Sequence, residues 1–363
     1  MGDNHQVYRR ISQGLRQLYP KQLTGRQARH LNTLAGMVAG IVRSGKCHLK
    51  AMAKKAPDQS KTESRIKRFT RYVQNEGVTA QTYYMPYLEA LVAGLARCGP
   101  LVLVMDGSEV GRGCLALVIS VVYKQRALPL AWMVVKGSKG HFPQESHLAL
   151  LQQIQPLIPE GSDVIFLGDG EFDGVDLQAE IAAQQWEYVC RTARNRILCD
   201  DGDEFSLQDI DLRPGQRLDI PDVGFTQDNY GPVLVIAWWR KQDKEPIYLV
   251  SNMELAAEAC FWYRKRFSIE TFFSDQKSRG FHLHKSHIAD PERMARLLIA
   301  ACLAYIWVIY LGVTAHRDNW VAIIHRPDRC DLSLFQLGLD LLEHFLNESL
   351  PIPVAFQMPI DVP

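Results

Sequence analysis

Residues 255–279 contain neither proline nor glycine, and their charged and aromatic side chains recur at helical spacing. The pattern predicts one continuous helix. At roughly 100° per residue, Tyr263, Arg266, Glu270 and Lys277 fall within an arc of about 60° on that helix. A carboxylate between cations, beside an apolar seam, is a poor arrangement for stability alone. It indicates a functional stripe, and the alternative is an ordinary surface helix with salt bridges.

Two apolar runs, residues 101–105 and 163–167, predict buried strands, and an aspartate follows each of them, Asp106 and Asp169. One aspartate after a strand is weak evidence, because turns favour this residue. Strand ends also expose side chains to a cleft, however. With Glu270 on the later helix, the chain has three carboxylates on separate elements, which is a ligand set for hard cations. Two Mg²⁺ ions about 3.5–4 Å apart would suit phosphoryl transfer.

The sequence pattern predicts an α/β protein in which a mixed sheet is flanked by helices. Strand-like and helical segments alternate after a helical beginning, and a Gly-, Pro- and Asp-rich stretch with short β-like runs interrupts them. The predicted division is a basic helical region at 1–97, a catalytic core at 98–194 and 251–325, a β-rich insertion at 195–250, and a loosely patterned C-terminal tail at 326–363.

The N-terminal block differs in charge from the rest of the chain. Residues 1–75 contain 16 Lys and Arg against 3 Asp and Glu, a formal charge of +13, whereas the remainder carries −12. Apolar residues recur among these charges, so the block should fold as an all-α region. Short basic helices suit a helix-turn-helix-like DNA reader. The candidate DNA contacts on the basic amphipathic helix at 60–72 are Lys61, Arg65, Lys67, Arg68 and Arg71.

The cysteines and the apolar runs of the sequence indicate in which cellular compartment the protein works. The eight cysteines form no CxxC pair, which argues against a zinc ribbon and fits a reducing cytosol. The N-terminus has no signal-peptide pattern. Residues 297–315 carry no charge and meet the length of a membrane span, but they are a single run, and a buried core helix is the favoured interpretation. We therefore expect a cytoplasmic protein without a membrane partner.

The spacing of the helical stripe resembles a known family. Tyr263, two residues, Arg266, three residues, Glu270, six residues and Lys277 reproduce the Y-R-E-K signature of cut-and-paste DDE transposases from bacterial insertion sequences. Asp106 stands where that family has its first acidic residue. Asp169 stands where it has its second. The resemblance covers roughly residues 60–315, and the signature is its most specific part.

The resemblance implies an RNase H-like catalytic core with a β-strand insertion between the second aspartate and the glutamate. It implies that Asp106, Asp169 and Glu270 are catalytic and hold two Mg²⁺ ions, for which Mn²⁺ is the expected substitute. Tyr263, Arg266 and Lys277 would contact phosphates near the element's end. The implied partners are double-stranded DNA, as terminal inverted repeats and as target, and a second copy of the chain in a synaptic dimer. The implied location is the bacterial cytoplasm, on the nucleoid when DNA is bound.

One position departs from that family. Several relatives have a tryptophan just before the last insertion strand, where it stacks beside a flipped base during hairpin formation. Here the aligned residue is Ile247. Trp238 and Trp239 lie upstream as alternative DNA contacts, and on a strand only one of them should face the DNA.

Other interpretations of the sequence remain open. A metal-dependent nuclease of the same fold could cleave DNA without strand transfer, and a non-catalytic DNA-binding inhibitor of transposition would need no triad. His282, Leu283 and His284 match the short metal motif of rolling-circle nucleases, but DNA contact or packing is favoured for these histidines. Glu171 and Asp173 follow Asp169 and are expected to support it or to lie on the surface.

Overall fold

Helices precede the first strand. The computed structural model describes residues 2–19, 23, 25–58, 60–137, 141–326 and 329–359. The predicted N-terminal region 1–97 thus lies partly outside the described residues; within them it carries helices and no strand, and binding of DNA by this region stays a prediction. The helices are α1 (Asp3–Gln17), α2 (Gly25–Ser44), α3 (Leu49–Lys55), α4 (Thr62–Gln74), α5 (Ala80–Tyr83) and α6 (Met85–Ala96).

The rest of the described chain combines strands with helices. In chain order the elements are β1 (Leu101–Gly111), β2 (Cys114–Tyr123), β3 (Arg126–Lys136), α7 (Gln144–Ile154), β4 (Val164–Gly168), α8 (Val175–Ala183), β5 (Glu187–Thr192), β6 (Ile197–Asp200), β7 (Asp203–Ser206), β8 (Arg217–Phe225), β9 (Tyr230–Trp238), β10 (Ile247–Ser251), α9 (Ala256–Tyr263), α10 (Ser268–Gln276), α11 (Pro291–Arg317), α12 (Val321–Ile324) and α13 (Leu334–Asn347).

The described strands form one mixed sheet of ten, in the order β3-β2-β1-β4-β5-β10-β9-β8-β6-β7. The first three make the expected antiparallel meander. β4 lies parallel to β1 on one side and to β5 on the other. The predicted mixed sheet flanked by helices is therefore confirmed.

The β-rich stretch extends this sheet. β10 pairs antiparallel with β5 and with β9, so it joins the predicted insertion to the core strands by continuous hydrogen bonding. The first two strands of this stretch, β6 and β7, lie at the edge of the sheet farthest from β3. Because β10 is antiparallel to β5, it ends at the amino end of the parallel strands, with Ser251 opposite Val189. α9 then packs on β4 and β5, and the segment after it brings Arg266 to Asp169 at the carboxyl end of β4.

The prediction that β1 ends at Asp106 is wrong. β1 continues to Gly111, because its antiparallel ladder with β2 runs on to the pair Gly111 and Cys114. On the other side, the parallel pairing with β4 stops at Val104 and Leu167. Asp106 consequently lies inside one strand and just beyond the end of its neighbour.

The prediction of one continuous helix over residues 255–279 is also wrong. A 3-10 segment, Arg264–Phe267, separates α9 from α10, and Lys277 leaves the helical conformation. A 3-10 turn has 3.0 residues rather than 3.6, so it changes the direction in which the later side chains point. The segment contains Arg266, whose side chain is drawn into the protein, and no local breaker residue signals this.

The long apolar run is a core helix. Within the described residues, α11 is the one helix long and apolar enough to cross a membrane, but 94% of its most apolar window is buried inside the protein. It packs against β3 and against α2, α4 and α13. The burial agrees with the interpretation of residues 297–315 as core.

The C-terminal segment is more ordered than the predicted loose tail. Residues 334–347 form α13, whose amide of Gln336 donates to the Ser333 hydroxyl at 3.1 Å. α13 lies very close to α11: a Cβ on Gly338 would stand 1.9 Å from the carbonyl oxygen of Val308. Beyond it, the carbonyl of Ile352 accepts a hydrogen bond from Arg10 of α1 at 2.7 Å. These contacts join residues that are remote in sequence, so the sequence could not predict them. The helix itself was predictable, because leucines and phenylalanines recur in it at helical spacing.

Candidate active site

The sheet places the first two carboxylates at the same level. Val104 of β1 is the register partner of Leu167 of β4, and each aspartate comes two residues later. Side chains two residues apart on a strand point to the same face. Asp106 and Asp169 therefore stand side by side where the parallel ladder ends.

One guanidinium brings the three predicted carboxylates together. A terminal nitrogen of Arg266 lies 4.0 Å from Oδ2 of Asp106 and 4.0 Å from Oδ2 of Asp169. Its other terminal nitrogen donates to Oε1 of Glu270 at 3.0 Å. The Arg266 side chain is only 10% exposed, whereas that of Glu270 is 53% exposed, so solvent screens the pair with Glu270 more than the contact with Asp106. Residues from β1, the end of β4 and α10 thus form one charged cluster.

The surroundings of Asp106 favour its neutral form. Burial, and then the negative charge of Asp169, raise its pKa to about 6, against the opposing effect of Arg266. The amide of Gly107 donates to Oδ1 of the same side chain at 2.7 Å. A carboxyl that is costly to ionise gains from a bound cation, because the cation restores the charged form.

The donor set fits a hard cation, although it is not yet arranged around one. Among the described residues, no three His, Cys, Asp or Glu side chains are placed to hold a metal ion as they stand. Arg266 lies between the carboxylates and balances their charge. Binding of an ion by all three carboxylates would require this guanidinium to move aside, and carboxylate oxygens are the ligands that Mg²⁺ prefers.

The other members of the signature flank this cluster. Burial raises the pKa of Tyr263 to about 12, with Arg266 and Arg191 opposing, so its hydroxyl remains a donor at neutral pH. Lys277 donates from Nζ to the Ser108 hydroxyl at 2.6 Å, two residues beyond Asp106. Burial lowers the pKa of Lys277, and the carboxylates of Glu109 and Asp106 oppose this effect. Their contact with DNA phosphates stays a prediction.

The two tryptophans have different environments. Trp238 lines a cavity of about 310 Å³ together with Ile247, Tyr263 and Arg266. It is also the direct cross-strand partner of Ile247. Trp239 instead donates from Nε1 to the carbonyl of Asp243 at 3.1 Å, within the turn that follows β9. Of the two candidates, Trp238 is the one beside the charged cluster.

Four further arginines around the cluster were missed by the sequence analysis. Arg191 and Arg194 line a cleft of about 530 Å³ with Asp169 and Arg266. The guanidinium carbons of Arg240 and Arg264 lie 5.3 and 5.2 Å from the centre of the Trp238 ring. Arg191 lies near the carboxyl end of β5, so a local strand pattern could have pointed to it. The others depend on turns and on the 3-10 segment.

The basic residues of α4 are not equivalent. Arg65 donates to the carbonyls of Ala56 and Asp58, both at 3.0 Å, and its side chain is 14% exposed. Arg68 pairs with the Asp58 carboxylate at 2.6 Å. Lys61, Lys67 and Arg71 are exposed. Arg65 thus holds the α3–α4 connection in this structure, which sequence periodicity could not reveal, and all five DNA contacts stay predictions.

Two acidic residues after Asp169 hold the surrounding loops. Glu171 accepts a hydrogen bond from the amide of Phe142 at 2.5 Å. Asp173 is buried and accepts from the Thr192 hydroxyl at 2.6 Å and from two nitrogens of Arg196 at 2.8 and 2.9 Å. Both contacts fix the loop that carries Asp169, as expected of supporting residues.

Comparison with known proteins identifies a domain that spans this site. The family model described as "Transposase DDE domain" matches residues 99–307, more than half of the chain. No curated protein matches the chain. One similar solved structure is the cryo-EM structure of a piggyBac transposase synaptic complex with hairpin DNA, at 12% identity and a TM-score of 0.47, covering 96% of this chain and 79% of that one. A likeness of this strength carries no argument about the site.

Proposed function

The chain belongs to the transposase DDE domain family, and on that premise we propose that it is a cut-and-paste transposase of the bacterial insertion-sequence type that carries the Y-R-E-K signature. It excises a DNA element and joins it to target DNA by phosphoryl transfer in an RNase H-like core. The observation that carries the proposal is the convergence of Asp106, Asp169 and Glu270, from three separate elements, on the single guanidinium of Arg266.

The carboxylates of Asp106, Asp169 and Glu270 are the groups that hold Mg²⁺, with Mn²⁺ as a substitute. When bound, the ions supply positive charge that activates the attacking oxygen and stabilises the leaving oxygen. The chain's own part is to align these ligands: β1 and β4 set two of them at one level, and α10 adds the third.

The cations of the site bind and orient the DNA. Arg266 balances the carboxylates while no cation is present, and its planar guanidinium is equally suited to a phosphate. Tyr263 keeps its proton at neutral pH and can donate to a phosphate oxygen. Lys277, fixed by Ser108, adds an ammonium beside Asp106. These residues together favour a phosphodiester held against the carboxylates.

The proposed partners are the terminal inverted repeats of the element and a target duplex, bound by a homodimer that pairs two ends in the bacterial cytoplasm. The arginines that line the cleft next to Asp169 and the basic N-terminal helices support a DNA partner. Neutralising phosphates releases counterions, so such binding should weaken steeply with salt.

The test uses DNA whose ends are the inverted repeats that flank the reading frame. Purified protein with Mg²⁺ should release the element and join its 3′ ends to a second, labelled duplex. Cleavage without joined product would support the nuclease alternative, and binding without cleavage would support the non-catalytic inhibitor. A reaction with Mg²⁺ replaced by EDTA is the control.

The tryptophans offer a prediction about second-strand cleavage. A hairpin intermediate unstacks a terminal base, and an aromatic stack can offset about 1–3 kcal/mol per base. Since Trp238 lines the cavity beside Arg266 and neighbours Ile247, Trp238→Ala should reduce double-strand excision about tenfold while first-strand nicking persists. Denaturing gels that separate nicked, hairpin and broken products measure this ratio.

Trp239→Ala is the matched control, because its ring nitrogen binds the Asp243 carbonyl in a turn. This change should lower thermal stability and leave the ratio of nicked to broken DNA unaltered. If Trp238→Ala leaves the ratio unchanged, or no hairpin forms with the parent protein, Trp238 has no stacking role.

A further inference from the structure

A second basic surface adjoins the active site and joins it to the N-terminal helices. The α2–α3 connection and the loop after α10 are tied by a hydrogen bond from the amide of Cys47 to the carbonyl of Phe281 at 2.7 Å. This brings together histidines and lysines from two distant parts of the sequence. We call the group the histidine–lysine surface; it consists of Lys46, His48, Lys50, His282, His284, Lys285 and His287.

The side chains of this surface are close to one another. The rings of His48 and His287 are 5.2 Å apart between centroids, and those of His282 and His284 are 6.0 Å apart. The positive charge of Lys277 is one of the groups that lower the pKa of His284. Because Lys277 contacts Ser108, two residues from Asp106, the surface begins at the edge of the active site.

The loop after α10 contains left-handed residues and a buried ring nitrogen without a partner. His282 and His287 both have left-handed backbones, with φ of 49° and 63°. Eight other described non-glycine residues also have positive φ, and histidine adopts this conformation more readily than most residues, so it does not by itself mark a binding site. Nδ1 of His282 is buried without a hydrogen-bond partner.

We propose that the histidine–lysine surface binds the phosphate backbone of the duplex that leaves the active site, and that His48, His282 and His284 take up protons when this DNA binds. The inference rests on the proposed function, which supplies the DNA. It adds a second DNA-binding surface and a pH-dependent affinity, neither of which cleavage by the three carboxylates requires. The partner follows from charge complementarity: three lysines and four histidines are exposed or half-exposed on one surface.

The expected proton uptake follows from the burial of these histidines and from the charges around them. Partial burial, and then neighbouring cations, lower the pKa of His48, His282 and His284. The groups that act on them are Lys46 and Lys50 from the α2–α3 region, Lys277 and Lys285 from the loop after α10, other histidines of the surface, and the opposing Glu109 of β1.

The sign of the pH effect can be worked out from these directions. Histidines with a lowered pKa are largely neutral at neutral pH. A phosphate placed beside them favours the charged form and raises the pKa, so the complex holds more protons than the free protein. Affinity for DNA should therefore increase as the pH falls. A rise of one pKa unit at a single histidine increases affinity by at most about tenfold, a limit reached when the pH lies below the pKa of both free and bound states.

The experiment measures binding of a labelled duplex of about 30 base pairs, roughly three helical turns, by fluorescence anisotropy at about pH 6 and about pH 8. Any sequence serves, because phosphate contacts are sequence-independent. All proteins carry Asp106→Asn and are kept in EDTA, so that neither cleavage nor titration of Asp106 contributes.

The test protein adds His48→Gln, His282→Asn, His284→Gln and His287→Asn, with asparagine at the two left-handed positions because it tolerates them. The parent should bind at least about tenfold more tightly at the lower pH, and this four-site variant less than about twofold. At the higher pH the two should agree within about twofold. His5→Gln, exposed on α1, is the control and should retain the full response.

If the four-site variant does not fold, the pair His48→Gln and His284→Gln should still remove part of the pH response. A parent with a flat pH response, or a folded variant with the full response, overturns the inference, whatever the cleavage assay shows. A pH response that the variant loses supports it even if the unsubstituted protein never cleaves DNA with Mg²⁺, and in that case the proposed function alone fails.

Discussion

Alanine at Asp106, Asp169 or Glu270 is expected to lower Mg²⁺-dependent cleavage of element-end DNA by at least about 10³-fold. The reason is the loss of a charge that holds a cation: metal ions contribute several kcal/mol to stabilising the transition state, and each 1.4 kcal/mol is about tenfold in rate. The three carboxylates converge on one place, next to Arg266, so removal of any one leaves a cation with two of its three carboxylate ligands. Single-turnover cleavage on denaturing gels measures the loss.

Binding of the same DNA should be unchanged or slightly tighter, because each substitution removes a negative charge from a surface that faces phosphates. Glu145→Gln is the matched control; this carboxylate is exposed in the first turn of α7 and should leave cleavage intact. A variant that keeps appreciable cleavage would exclude its residue from the catalytic set. A variant that loses both cleavage and binding would instead indicate misfolding.

Arg126→Met is expected to destabilise the protein by about 3–5 kcal/mol, the usual effect of removing one partner of a buried ion pair. Arg126 at the start of β3 binds Asp275 of α10 at 2.8 Å, and their side chains are only 13% and 7% exposed. Without Arg126 the carboxylate stays buried and unpaired. Chemical denaturation of the full chain measures the change in the free energy of unfolding.

The pH dependence of this loss has a definite sign. Burial raises the pKa of Asp275 to about 6, although Arg126 and Arg279 oppose it. A raised pKa means that the folded state holds the proton more tightly. Stability therefore decreases as the pH rises from the pKa of this carboxyl in the unfolded state through its pKa in the folded state. Arg126→Met should raise this pKa further, so its effect should be larger at about pH 8 than at about pH 5.

The double substitution Arg126→Met with Asp275→Leu is the control for this interpretation. An apolar pair of similar volume often replaces a buried ion pair without loss, so the double variant should recover most of the stability. A double variant as unstable as Arg126→Met would show that the loss arises from packing rather than from an uncompensated charge. Because α10 carries Glu270, cleavage should recover together with stability.

Much of the candidate site could be predicted because its signals are local. Val164–Gly168 is a short apolar strand followed by Asp169, and strand ends in a sheet open to clefts. The spacing of Tyr263, Arg266, Glu270 and Lys277 is likewise readable without a structure. The predicted continuous helix failed at Arg264–Phe267, where tertiary contacts of Arg266 override the propensity of residues that contain no breaker.

The sequence by itself determined which side chains could do the chemistry: an aspartate beside each of two apolar strands, a later glutamate, and a cationic signature around it. Only the tertiary structure decided how they are used. Register between β1 and β4 set Asp106 level with Asp169, and the 3-10 segment turned Arg266 toward both. The same long-range packing placed Trp238 rather than Trp239 at the cavity. Contacts between residues distant in the chain depend on which strands pair, and that pairing minimises the free energy of the whole sheet rather than of any one segment.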